Sequence, residues 1–167
     1  MVWLTTFLLP VTIIATWNEK NGATYFPILL AMGGALIGVF VSLDLFMFYV
    51  FWELTLIPMF FLILMWGGAD RKYASQKFFI YTFTASVVML LGLITLYFFQ
   101  DPVNPLDYAG SMTGRTFDIP TITQHALMEN SNGNWYLGAN IQKVLFAMLM
   151  LGFLVKLPAV PFHTWLP

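Results

Sequence analysis

No cysteine occurs among the 167 residues, which excludes disulfides, iron–sulfur ligation and thiolate zinc sites from this chain. Charge is nearly as scarce: 9% of residues are Asp, Glu, Lys or Arg, and the net charge is −1. The 7 Lys and Arg form neither stripe nor tail, so nothing here suits nucleic acid. His125 and His163 make no metal-ligand spacing with each other or with a carboxylate. No glycine-rich loop follows a strand, so no cofactor is expected in this chain, and any redox group is expected on partner subunits.

What the chain has in excess is apolar surface, with 59% hydrophobic residues and a mean hydropathy of +0.78. Core helices of soluble proteins are shorter than the near-chargeless runs found here and carry a polar face. The expected fold is therefore all-α, a polytopic membrane helix bundle. The first span, 1–17, is interrupted by Pro10 and reads as incomplete, as if the chain opened inside a membrane segment; it has neither the basic start nor the small-residue cleavage site of a signal peptide. Further spans are expected over 25–41, 44–66 and 71–99, the last opening near Asp70 and ending at Gln100-Asp101-Pro102. Gly34 and Gly38 form a GxxxG step suited to close helix packing. Ser42 and Asp44 both suit the start of the helix that follows.

Residues 100–140 turn polar and are expected to be an extramembrane loop with a short helix around 122–129, too small for a core of its own. A last span, 141–167, meets Pro158, Pro161 and Pro167 and is expected to be a discontinuous helix, again truncated. Such breaks are tolerated in a bilayer where protein or water satisfies the freed backbone groups, as along ion pathways. By the positive-inside rule the loops with Lys20, Arg71, Lys72 and Lys77 face the cytoplasm or its equivalent, and the long loop faces the other side.

Glu53 lies near the middle of the 44–66 span. A charge there costs ~2.5–3.5 kcal/mol on insertion scales, so it needs a partner or a wet cavity. Lys156, at the proline-broken segment, is the expected partner. Lys77 and His163 complete a candidate proton relay, running from Lys77 to Lys156 to His163, with Glu53 paired to a lysine in one state. Burial and opposite charge pull the affinity of such groups for protons in opposite directions, which a relay requires. Each has a plainer reading: Lys77 as a snorkelling helix-end lysine, Lys156 as an end-of-span anchor, His163 as an interfacial histidine, Asp44 as a cap. Lys77, Tyr81, Thr84, Val88 and Thr95 are expected to form a polar stripe turned toward protein or water.

Three stretches together carry a resemblance to a known family. They are Leu43-Asp44-Leu45-Phe46-Met47-Phe48-Tyr49-Val50-Phe51-Trp52-Glu53-Leu54-Thr55-Leu56-Ile57-Pro58-Met59, Lys77-Phe78-Phe79-Ile80-Tyr81-Thr82, and Val155-Lys156-Leu157-Pro158-Ala159-Val160-Pro161-Phe162-His163-Thr164-Trp165-Leu166-Pro167. In this order they closely resemble the antiporter-like membrane subunits, of the chain M or subunit 4 type, of proton-pumping NADH:quinone oxidoreductase, respiratory complex I. The resemblance implies an antiporter-like inverted-repeat fold with a broken helix in each repeat. It implies that Glu53, Lys156 and Lys77 match the family's mid-helix glutamate, broken-helix lysine and helix-opening lysine. His163 falls in its His-Thr-Trp-Leu-Pro motif, and Asp44 at an acidic position before the glutamate helix. The implied partners are the lipid bilayer and the other membrane-arm subunits of the complex, with NADH and quinone bound by other subunits. A full member is roughly three times longer, so a fragment is expected. Two other readings stay open, a chain of a multisubunit sodium/proton antiporter and a truncated, inactive membrane fragment. A bacterial inner membrane is favoured by the lack of a transit peptide, which an organelle-encoded chain would lack as well.

Overall fold

The computed structural model describes residues 1–19, 21–99, 115–127 and 139–165. Its helices are α1 (Val2–Ala15), α2 (Gly22–Val41), α3 (Leu45–Leu54), α4 (Leu56–Trp66), α5 (Arg71–Phe99), α6 (Ile119–Leu127) and α7 (Ala139–Lys156), followed by a 3-10 turn at Phe162–Trp165. Among the described residues no strand is present, only an isolated antiparallel bridge between Asp44 and Asp118. Three stretches, α2, Leu45–Trp66 (α3 with α4) and α5, are long and apolar enough to cross a bilayer. The chain is thus an all-α membrane helix bundle.

Helix α5 is the post around which the bundle is built. Ser75, Phe78, Thr82, Ala85, Ser86, Met89, Gly92, Leu93 and Leu96 recur every three or four residues and are buried, so one face of the helix is packed along its length. Small residues let α7 come close: a Cβ on Gly92 would lie 3.1 Å from the Met148 Cβ, and one on Gly152 would lie 2.9 Å from the Met89 Cβ. The buried polar residues of this face are Ser75, Thr82 and Ser86, not the expected stripe. Thr84 of that stripe is exposed and returns its hydroxyl to the Ile80 carbonyl at 2.7 Å. A threonine satisfied by its own helix need not face protein. The expected Gly34–Gly38 step is also displaced. Gly38 lies under the Phe51 ring and Gly33 against Leu9, while nothing lies within 4 Å of a Cβ on Gly34.

The span expected over 44–66 is interrupted. Thr55 separates α3 from α4, three residues before Pro58. Pro58 has no N–H to give the Leu54 carbonyl, and its ring crowds that carbonyl. Helix α7 ends for the same reason two residues before Pro158, and its last carbonyls are re-satisfied. Leu157 N–H donates to Phe153 O at 2.8 Å, Ala159 N–H to Leu154 O at 3.0 Å, and the Trp165 indole N–H to Val155 O at 2.8 Å.

At one end of the bundle, Asp44 caps α3, accepting from the N–H groups of Phe46 at 2.8 Å and Met47 at 3.0 Å. Ser42, expected to share that role, instead closes α2 by donating to the Gly38 carbonyl at 2.6 Å. The returning connection docks here. Leu45 N–H donates to Phe117 O at 2.9 Å and Ile119 N–H to Leu43 O at 2.8 Å, while the Phe117 ring stacks on Tyr97 at 4.6 Å. The short helix expected over 122–129 starts earlier, at Ile119, because Asp118 caps it through the Thr121 N–H and hydroxyl. The His125 side chain, Glu129 and the rest of the connection lie outside the described residues, as does Lys20. At the other end, Tyr25 packs edge-on against Trp66 at 5.0 Å, and Arg71 donates to the Met65 carbonyl at 3.0 Å, capping α4. The loops around 18–24 and 67–71 therefore share one end.

Replacing Gly152 by Val is expected to cost about 1–3 kcal/mol by overpacking against Met89. The pair Gly152→Val with Met89→Ala should lose less than the sum of the single losses, read from thermal denaturation in detergent, because the two side chains compete for one space. Hydrogen bonds from Thr121 hold the Asp118 carboxyl below its ordinary value of 3.8. A depressed value means that the cap is complete above the ordinary value and lost as pH falls through the lower one. The expected outcome is amide protection over 119–123 at pH 5 to 7, loss of that protection relative to the unfolded chain as pH falls below the ordinary carboxyl range, and little protection at any pH in Asp118→Ala.

Candidate functional site

Glu53 and Lys156 meet in one crevice between α3, α4, α5 and α7, lined by Trp52, Glu53, Leu56, Thr82, Ser86, Gly152 and Lys156. The 3.6-residue period accounts for the lining: Glu53 shares a face of the first half-span with Tyr49, and Thr82 and Ser86 stand one turn apart on α5. Room for water centres amounts to about 10 Å³, close to the minimum for a single water molecule.

Apolar clusters flank the crevice on both sides along the helix axes. Toward the Asp44 end, Tyr49, Met89 and Leu93 form a buried cluster. Toward the Arg71 end, Leu56, Phe78, Ala85, Val155 and Trp165 form another. The two ionisable groups are therefore held in a low-dielectric layer in which an unpaired charge is costly and any interaction between them is strong.

The direct ion pair expected between Glu53 and Lys156 is not formed. The Lys156 ammonium donates to the Trp52 carbonyl at 2.8 Å and to the Thr55 hydroxyl at 2.7 Å, and it stands 4.0 Å from the centre of the Trp52 ring. The Thr55 hydroxyl in turn donates to the Trp52 carbonyl at 2.7 Å. The interruption at Thr55 accounts for this arrangement, since it presents a carbonyl and a hydroxyl together toward α7. Glu53 and Lys156 interact electrostatically across the crevice. Glu53 Oε1 is buried without a hydrogen-bond partner, and the carboxylate also interacts with the Tyr49 phenol, which faces Ser86 as well. Thr82 and Ser86 donate to carbonyls of their own helix, Phe78 at 2.6 Å and Phe83 at 2.8 Å, so each turns lone pairs toward the crevice.

The other two sequence-derived candidates stand apart. Lys77 lies over the Tyr73 ring at 5.9 Å, five residues before Thr82 and so about 7.5 Å lower along α5. His163 is exposed on the 3-10 turn. Sequence reasoning missed Tyr49, Thr55, Thr82 and Ser86. The signal for Tyr49 was its place four residues before Glu53; the signal for Thr55 was the proline three residues on, which marks a break in the helix.

Comparison with known proteins bears on the same residues. Residues 42–167 match the family model described as NADH:quinone oxidoreductase/Mrp antiporter, transmembrane. The F(420)H(2) dehydrogenase subunit M of Methanosarcina mazei is 42% identical over all of this chain and 31% of its own length. NADH-quinone oxidoreductase subunit M of Rhodobacter capsulatus is 41% identical over 99% of this chain and 30% of its own. The chloroplastic NAD(P)H-quinone oxidoreductase chain 4 of Chlorokybus atmophyticus is 38% identical over all of this chain and 28% of its own. The chain thus spans about a third of the length of these curated relatives. A match that begins just before the Asp44 cap and takes in both Glu53 and the broken helix of Lys156 assigns this chain to the NADH:quinone oxidoreductase/Mrp antiporter transmembrane family.

Proposed function

We propose that this chain is part of a proton-translocating membrane-arm subunit of an NADH:quinone oxidoreductase-type complex, in which H⁺ passes between Lys156 and Glu53. The observation that carries the reading is the shared crevice, flanked by apolar clusters on both sides, with room for about one water. In the central step a proton leaves the Lys156 ammonium, crosses the water and lands on the Glu53 carboxylate. This leaves a neutral amine and a neutral acid. Lys156 is then recharged from one side of the membrane and Glu53 discharged to the other, and the pair returns to its starting charge. Opposite charges in a dry layer favour keeping both ionised, and opening the layer to water on one side shifts that balance.

Lys77 and His163 are outer stations in this reading, one below the crevice on α5 and the other on the exposed turn beyond it. Neither touches the central pair, so each would exchange protons with the crevice through water admitted past the Phe78–Trp165 cluster. The spans 25–41, 44–66 and 71–99 and the broken segment 141–167 would form the early part of a longer subunit, flanked by 1–17 and joined by the 100–140 connection.

One of the relatives is named for F(420)H(2) and another for NADH, and both are subunit M. The electron donor is thus expected on other subunits, with the bilayer and the neighbouring membrane-arm chains as the direct partners. A cell or inner membrane that holds a proton gradient is the proposed location. The family description also names the Mrp antiporter, for which a sodium gradient would replace electron transfer as the driving force.

The test uses the full-length chain in its complex, reconstituted into vesicles. Glu53→Gln and Lys156→Met are each expected to lower proton pumping about tenfold or more, equivalent to ~1.4 kcal/mol per tenfold. Normal pumping in both variants overturns the relay. Pumping driven by sodium and indifferent to quinone reduction would assign the chain to the antiporter branch. Lys77→Met and His163→Ala are expected to slow pumping by about threefold or less, since each removes an outer station and leaves the central pair intact.

A further inference from the structure

We propose that Thr55 is a positioning residue for Lys156. With the Trp52 carbonyl it forms a resting cradle for the ammonium on the Glu53 span, and the Glu53 carboxylate is the second, alternative place for that group. This rests on the relay reading above and adds to it a residue outside the Glu–Lys pair.

The cradle is made wholly of acceptors. The single Thr55 hydroxyl proton is engaged on the Trp52 carbonyl at 2.7 Å, so the oxygen has only lone pairs to offer, and the Lys156 ammonium meets it at 2.7 Å. The carbonyl takes a second ammonium hydrogen at 2.8 Å, and the face of the Trp52 ring supports the charge from 4.0 Å. A lysine ammonium has three donors and no acceptor, so a site of this kind satisfies two of the three and leaves the third available.

The alternative place is adjacent and open. Glu53 follows Trp52 directly in the chain, lines the same crevice, and has one buried oxygen without a partner. A flexible four-carbon stem carries the ammonium between the two by rotation about its own bonds. A carboxylate with one oxygen unpartnered and a lysine held by neutral acceptors form a poised state, because breaking a direct buried salt bridge at each cycle would be costly. Thr55 thus supplies the competition that keeps Lys156 mobile. Valine at this position has nearly the same shape and no lone pair, which would leave the ammonium one acceptor short and favour the carboxylate.

The experiment compares Thr55→Val and Thr55→Ser with the native residue in the full-length, assembled complex. Thr55→Val is expected to lower the turnover number of quinone-linked pumping about threefold or more, with the quinone KM and the amount of assembled complex unchanged. Thr55→Ser, which keeps the hydroxyl and loses the methyl, is expected to restore most of it. A structure of the Thr55→Val complex should show the Lys156 ammonium within hydrogen-bond distance of Glu53. Native turnover in Thr55→Val, or equal loss in the Val and Ser variants, overturns the positioning role. If Glu53→Gln and Lys156→Met pump normally, the relay itself fails, whatever Thr55 does.

Discussion

A lysine ammonium held by a backbone carbonyl and a hydroxyl, rather than by the carboxylate next to them, is the interaction on which the site depends. It exists because the Glu53 span is not one helix. Pro58 withholds a donor from the turn before it, the chain loosens at Thr55, and the loosened turn offers acceptors sideways. In the facing element, Pro158 ends α7 at Lys156, and that residue emerges from the last regular turn where its stem can reach across. Two prolines on two segments therefore create complementary halves of one contact. The bilayer imposes this economy, since neither freed backbone groups nor the ammonium can find bulk water at that depth.

The packing around the contact is as consequential as the contact itself. Met89 is fully buried and lies against Gly152, so α5 and α7 touch backbone to side chain at the floor of the crevice. Phe78 and Trp165 approach to 5.1 Å on the opposite side. Trp165 also satisfies the Val155 carbonyl. Through that bond the aromatic plug and the broken helix are one mechanical unit, and access from the Arg71 end cannot change without disturbing the end of α7. The hydroxyls between the plugs are fixed by their own helices and accept rather than compete as donors.

Glu53 and Lys156 were legible in the sequence because ionisable groups inside long apolar runs are costly and demand an explanation. Their partners were harder to read. Threonine and serine satisfy themselves within a helix as readily as they face a site, so Thr55, Thr82 and Ser86 could not be told from Thr84, which points outward. Lys77 was read as a member of a polar stripe, but the packed face of α5 is set by the small and apolar residues that admit α7. The glycine step failed for a related reason: spacing shows that two helices could approach, and only the neighbours decide which glycine lies at the crossing. The cap at Asp44 was legible, while the start of α6 depended on Asp118 and on the docking of residues 115–119.

That docking sets the depth of the chemistry. The Asp44–Asp118 bridge clips the returning connection to the cap residue of α3, and Glu53 follows nine residues later, about 13.5 Å along a rigid rod. The clip therefore works as a depth gauge. Two backbone hydrogen bonds at the end of the bundle thus fix how deep the carboxylate stands beside the ammonium of α7.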